Sequence, residues 1–448
     1  LFSSFKVRRS TFDVGRSNWK EFFAMHAQLQ SMTHLIASAC ILLLLFTGVA
    51  HYSRRSRLPA EAWMLMIGLG LGLLSKYTPL KLIPAALFSP GLILVGILPL
   101  LIFASGRKIR PAILKKDIPE ITYLALPGVL ITAALFGLSM SWILGIPLEH
   151  GLVLGAAVGA TDPAAVTSIF QRFRLPEQLN LIVEGESLFN DGTTVVVFSV
   201  ITGMVLEGAG LDLYRTLGAF VWAVLGALPA GLLLGWLGAW LLRVWHEHQV
   251  FFTTSMSLIL AYGSFVLAEE FLGVSGVICV LLAALTFARS WQKETVDEAI
   301  RDKVLIMGAF WDYISRTLTG FLFVLLGAAV GRHDFVVGIW AMAAAVVLLF
   351  LSRVIVVYAG FLLLGLFKSR LSLAWQNIIL LSGLRGPVSA ALILTLPDTF
   401  PYKGEFQCLA FVAIAAGLIL QPLLVQGVLD RSDVSPVADA GEPQQGKR

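Results

Sequence analysis

The residues best suited to chemistry lie in one run, Glu184-Gly185-Glu186-Ser187-Leu188-Phe189-Asn190-Asp191, which opens a long apolar stretch. Wound as a helix, Glu184, Ser187 and Asp191 fall at i, i+3 and i+7 and share one face, with Glu186 and Asn190 on a neighbouring face. Gly192, Thr193, Thr194 and a run of valines follow, so Asp191 is expected well inside the apolar segment. Ionisable groups at such depth are expensive and mark ion or proton paths. The plainer alternative is a helix mouth with solvated acids, which fits Glu184 better than Asp191. Two further stretches complement this run. Thr161-Asp162-Pro163 interrupts one apolar segment, and Gly383-Leu384-Arg385-Gly386-Pro387 interrupts another. Proline removes a backbone donor and clashes with the preceding turn. A broken helix at membrane depth leaves carbonyl oxygens able to coordinate a hard cation and half-helix ends that need counter-charges. Asp162 is expected to face a half-helix N-terminus and Arg385 a C-terminus, while Thr161, Ser187, Asn190 and Asp191 offer oxygens. The alternative is two unrelated kinked helices.

A carboxylate deprived of water favours its neutral form, and a nearby cation favours the charged one. Asp191 therefore holds a proton or a cation but not both. If the site crosses the membrane only when neutralised, that competition couples the two fluxes. No Gly-rich stretch ending in Gly-Lys-Ser/Thr is present to bind a nucleotide phosphate, so the energy is expected to come from ion gradients. No cofactor is expected. A membrane enzyme would need a nucleophile–base or metal constellation, and neither HExxH nor clustered His/Cys appears. A passive channel, with Asp191 as selectivity site, differs in that a cation gradient would not drive protons uphill. Another coupled solute on the same scaffold is a further alternative.

The elements that must position these groups follow from composition. Of 448 residues, 57% are hydrophobic and only 14% charged, with a mean hydropathy of +0.83. Soluble domains are nearer a quarter charged. The apolar runs reach about twenty residues, the length a spanning helix needs. The short alternating segments of a β-barrel are missing. About thirteen runs are expected, centred near Leu42, Ile67, Val95, Leu135, Ala157, Val195, Leu225, Leu260, Leu281, Leu322, Val347, Leu384 and Leu418. The two interrupted runs are about seven segments apart, as an inverted repeat with paired broken helices requires. The net charge of +5 reflects basic loops rather than a nucleic-acid surface. Loops 54–57, 107–116, 172–174, 289–303 and 368–370, with the C-terminal tail, carry roughly twice the Lys/Arg of the other face, which places them in the cytoplasm. Residues 1–30 form a polar, amphipathic leader without a cleavable signal pattern, and residues 431–448 a short polar tail. Cys40, Cys279 and Cys408 are widely spaced in apolar segments and are expected to be buried. His246 and His248 are expected at an interface.

Thr161-Asp162-Pro163-Ala164-Ala165-Val166, Glu186-Ser187-Leu188-Phe189-Asn190-Asp191-Gly192 and Gly383-Leu384-Arg385-Gly386 resemble, in order, the three signatures of monovalent cation–proton antiporters. The similarity is to the branch containing bacterial NhaP-type antiporters and animal sodium/proton exchangers, and it covers about residues 31–430. The resemblance implies an all-α polytopic membrane protein of thirteen helices in a cell membrane, with two crossed broken helices, forming a homodimer. Core transport helices (about 118–206 and 335–430) would move in an elevator-like manner against scaffold and dimer helices (about 31–105 and 215–330). It further implies that Asp191 binds cation and proton beside Asn190, with Thr161 and Ser187 as metal-ion ligands. Asp162 joins the ion- and proton-binding group. Glu186 would pair with Arg385, and Arg353 matches a further family arginine. The Asn-Asp pair implies electroneutral one-for-one exchange of Na+ or Li+, with K+ an option, for H+. Three positions depart from the pattern. Ala104 stands where relatives commonly carry an acid, leaving cation preference open. Asp312 replaces a frequent glutamate, and Arg316 follows it at i+4, where Asp312 is its expected partner. Tyr262, Glu269 and Glu270 lie on the eighth run, with at least one glutamate expected to face water.

Overall fold

The computed structural model describes residue 33 and residues 36–429, except 54, 57, 79–82, 110–116, 164–169, 171–172, 174, 209–211, 245–249, 293–297, 334–336, 366–370 and 384. The leader and tail expected at 1–30 and 431–448 lie outside the described residues, as do His246 and His248.

The described chain is helical, its one extended pairing an isolated bridge. The helices are α1 (Ile36–Ser53), α2 (Ala60–Tyr77), α3 (Leu92–Gly106), α4 (Ile118–Leu144), α5 (Leu148–Ala157), α6 (Glu177–Leu206) and α7 (Leu213–Val244). Beyond them run α8 (Val250–Leu272), α9 (Gly276–Gln292), α10 (Glu298–Arg332), α11 (Ile339–Gly365), α12 (Leu373–Leu381), α13 (Pro387–Thr395) and α14 (Lys403–Leu429). Among the described residues, eight of these are long and apolar enough to cross a membrane. The apolar centres read from the sequence fall within or at the end of a helix, save Leu384, which is outside the described residues.

Proline and glycine set the irregular points. Pro127 starts the second part of α4 after a kink at Leu126. Pro99 cannot donate a backbone hydrogen bond, and the turn before it, Leu92–Ile97, is wound as a π-helix. The Gly96 carbonyl within this π turn accepts the Tyr262 hydroxyl at 2.8 Å. Glu269 and Glu270 are both exposed, as expected of at least one of them, and Glu269 accepts the Gly276 N–H at 2.8 Å and so caps α9. Cys279 and Cys408 are buried, but Cys40 is exposed on α1. An apolar run marks a membrane segment without telling which face is covered, because the outside of such a helix is as apolar as the inside.

Two packing regions result. α2 and α10 lie backbone to backbone through Gly68, Gly72, Gly327 and Gly331, where any Cβ would strike the facing carbonyl. Elsewhere α4, α6, α11, α12 and α14 enclose an apolar cluster around Ile182, Val357 and Ile379. α7 turns Trp222, Leu225, Leu233 and Trp236 outward.

Candidate ion-binding site

The two interrupted segments meet. After α5 ends at Ala157, the buried Gly159 and Ala160 lead to Thr161, which forms an antiparallel bridge with Arg385. α13 begins at Pro387, preceded by an extended Gly386. A Cβ on Gly386 would lie 2.5 Å from the Asp162 Cβ, so glycine is what lets the second break touch the first. The half-helix expected to follow Asp162 falls mostly on residues 164–169, outside the described set.

Helix α6 runs unbroken past this junction and supplies most of its polar groups. Ser187 Oγ donates to the Thr161 carbonyl at 2.6 Å. Asn190 Nδ2 donates to Thr161 Oγ1 at 2.6 Å, and the Thr161 N–H donates back to Asn190 Oδ1 at 3.3 Å. Thr161, Ser187 and Asn190 are all buried. Unpaired backbone groups are costly in a dry interior, and these side chains satisfy the ones that the break exposes.

Asp191 lies midway along α6 and is half-buried. Among the described residues no hydrogen bond or ion pair engages its carboxylate. The half-buried Asp162 acts on it electrostatically. Gly192 beside it faces Ile278 and Leu281 of α9. Ala104, the position lacking the expected acid, is fully buried on α3.

Two arginines serve the half-helix ends. Arg385 Nη1 donates to the carbonyls of Gly159 at 2.9 Å and Ala160 at 3.5 Å, just past the end of α5. Arg353 Nη2 donates to the Ile379 carbonyl, in the last turn of α12, at 3.0 Å. Cations at helix C-termini are stabilising, because the last carbonyls carry unpaired negative charge. Arg385 thus faces a half-helix C-terminus, as expected, and Arg353 faces the other.

The ion pair differs from expectation. Glu186 pairs with Arg353, both Nη atoms meeting both carboxylate oxygens, the Nη2–Oε2 contact at 2.8 Å. It does not take Arg385 as its direct partner, although the two remain in electrostatic range. Arg353 fits because Gly383 leaves room: a Cβ there would be 2.6 Å from Arg353 Nε. A second correction concerns Asp312. It binds Arg107 at 2.7 Å and Lys108 at 3.1 Å, not Arg316 on its own helix. An i,i+4 pair contributes only about 0.2–0.5 kcal/mol, so the cations just past the end of α3 readily outcompete it.

Sequence reasoning passes over Glu61, in the first turn of α2. The charges acting on it are Asp162 and Arg316. Its only signal is a lone carboxylate two residues past Pro59 at the start of an apolar run.

Comparison with known proteins covers nearly the whole chain. Residues 41–431 match a family model described as "Sodium/hydrogen exchanger, transmembrane". The Na(+)/H(+) antiporter NhaG of Bacillus atrophaeus is 29% identical over 90% of this chain and 76% of its own length. The Na(+)/H(+) antiporter NhaS2 of Synechocystis is 31% identical over 90% of this chain and 72% of its own. Among solved structures, the sodium proton antiporter MjNhaP1 of Methanocaldococcus jannaschii superposes with a TM-score of 0.73 and 22% identity, covering 89% of this chain and 99% of that one. That similarity shows a shared fold.

Proposed function

The chain belongs to the sodium/hydrogen exchanger family, integral membrane transporters rather than enzymes, and from that premise we propose that it exchanges a monovalent cation, Na+ or Li+ before K+, for H+ with Asp191 as the shared site. The observation that carries this reading is Asp191 itself. It is a carboxylate deep in an apolar helix, beside the junction of two broken helices, with no hydrogen bond to satisfy it among the described residues. Thr161 and Ser187 offer further oxygen ligands, and hard cations take oxygen. Asp162 adds negative charge nearby.

Coupling needs only competition. Asp191 with a proton and Asp191 with a cation carry the same charge, and Asn190 beside it does not titrate. One-for-one exchange through that carboxylate moves no net charge, which makes the transport electroneutral. Alternating access follows if the bare carboxylate, costly in a dry interior, cannot cross. Glu186, Arg353 and Arg385 hold the two breaks in place during that motion. α12 and α13 count as one interrupted span, giving thirteen, with α4–α6 and α11–α14 as the moving core. The outward apolar face of α7 suits lipid or a second subunit of a homodimer. The basic loops put the C-terminus in the cytoplasm, with a cell membrane as the location.

The test is proton flux in liposomes holding the purified protein, with imposed Na+, Li+ or K+ gradients and clamped voltage. Asp191→Asn is expected to abolish cation-driven proton movement while the protein still melts cooperatively in detergent. Wild-type exchange in that variant would overturn the assignment. Proton movement in wild type without coupling to any cation gradient would favour a channel.

A further inference from the structure

Helix α6 carries two adjacent threonines, Thr193 and Thr194, just past the Asn190-Asp191 pair, and they behave differently. Thr193 Oγ1 donates to the Phe189 carbonyl at 3.0 Å, the usual bond of a helical threonine to the preceding turn. Thr194 is fully buried, yet its Oγ1 makes no such bond and has no hydrogen-bond partner among the described residues. A buried hydroxyl left unpaired costs stability, and valine would fill the same space without that cost. A hydroxyl kept at such a place points to an occupant that bonds it.

The position fits a cation. Thr194 stands at i+3 from Asp191 and i+4 from Asn190, neighbours about 5–6 Å apart at Cβ. It also borders the end of the first half-helix. A Cβ on Gly159 would lie 3.1 Å from Thr194 Oγ1, so glycine there keeps the space beside the hydroxyl open. The Gly159 carbonyl is taken by Arg385 and the Thr161 carbonyl by Ser187, which leaves the Thr194 oxygen unclaimed between the break and Asp191. Thr202 offers a contrast on the same helix. Its Oγ1 is also buried and without a partner among the described residues, but it lies about 16 Å along the axis from Asp191, beyond the buried Phe198.

We propose that Thr194 is a further ligand of the transported cation, its hydroxyl oxygen completing the shell that Asp191 begins. This assignment rests on the exchange reading above. A neutral hydroxyl adds an oxygen without adding charge, so it sets affinity and leaves the one-for-one stoichiometry to Asp191.

The experiment is cation-driven proton flux in liposomes, with KM read for Na+ and Li+, beside melting of the purified protein in detergent with and without each cation. Thr194→Val keeps the shape and removes the hydroxyl. It is expected to raise KM about tenfold and to shrink the cation-induced rise in melting temperature, while melting no lower than wild type in the absence of cation. Thr194→Ser is expected to restore KM to within about threefold of wild type, which a packing role for the side chain would not produce. Thr202→Val, which deletes an equally dry hydroxyl far from Asp191, is expected to leave KM unchanged. If Thr194→Val does not fold, Thr194→Ala removes the same oxygen. A wild-type KM in the folded Thr194 variant, or an equal rise in Thr202→Val, overturns the proposal. Asp191→Asn run alongside separates the two readings: exchange surviving in that variant overturns the site itself, whereas its loss there beside a wild-type KM in Thr194→Val overturns the Thr194 assignment alone.

Discussion

The α2–α10 contact and the junction of the two breaks lie in one molecule but are held by opposite means. Between α2 and α10 the backbones touch through glycines, and a Cβ on Gly331 would stand 2.5 Å from the Leu69 carbonyl. No polar side chain is needed along Gly68–Val324 and Gly72–Ala328. At the junction the contacts that fix the backbone are polar: Ser187 and Asn190 on Thr161, Arg385 on Gly159, Arg353 on Glu186 and Ile379. Burial from water does not drive helices together inside a bilayer, so close packing of small residues does that work between α2 and α10. Broken backbone cannot be left unpaired there, so polar side chains do it at the junction. The packed contact suits a rigid frame. The polar one leaves oxygens, and the Asp191 carboxylate with no hydrogen bond among the described residues, where an ion can use them.

That contrast can be broken most readily at the ion pair. Arg353→Met leaves Glu186 buried without its bidentate partner, and such losses cost about 3–5 kcal/mol. A large drop in melting temperature in detergent is expected, with partial recovery when Glu186→Gln is added. Unchanged melting would show that the junction does not depend on its charges. The packed contact is tested next. Gly68→Leu forces α2 from Val324 and is expected to destabilise by about 1–3 kcal/mol, as overpacking does. Its cation KM should stay near wild type in the fraction that folds, and a shifted KM with unchanged melting would contradict a purely structural frame. Ser187→Ala gives the smallest change. Interhelical hydrogen bonds in membranes average about 0.6 kcal/mol, so melting barely moves. KM for the cation is nonetheless expected to rise a few-fold if Ser187 is a ligand, and an unchanged KM would assign it to holding Thr161 alone.

Much of this arrangement was legible in the amino acids, and the reason is local. Pro163, Gly383, Gly386 and Pro387 announce breaks because their backbone chemistry is their own. The face shared by Ser187 and Asp191 follows from helical spacing. The partner of Glu186 was not legible, because Arg353 lies 167 residues away on another helix and no period connects them. The pairing of Asp312 misled for the same reason: Arg316 at i+4 is visible in sequence, whereas Arg107 arrives from α3 through tertiary packing. The register of α2 on α10 was hidden too, since glycines in an apolar run show that a close approach is possible without naming the neighbour.

The bridge between Thr161 and Arg385 has a consequence for how the chain is made. Synthesis completes α5 and α6 179 residues before Arg385 exists to meet them (385 against 206). Until then the Gly159 carbonyl lacks its arginine, and until Arg353 is made Glu186 lacks its partner. The first half of the protein must therefore wait in the membrane with an unfinished seam, kept wet or shielded by a partner. A chain cut short after α6 is left with a defect that its own sequence cannot repair.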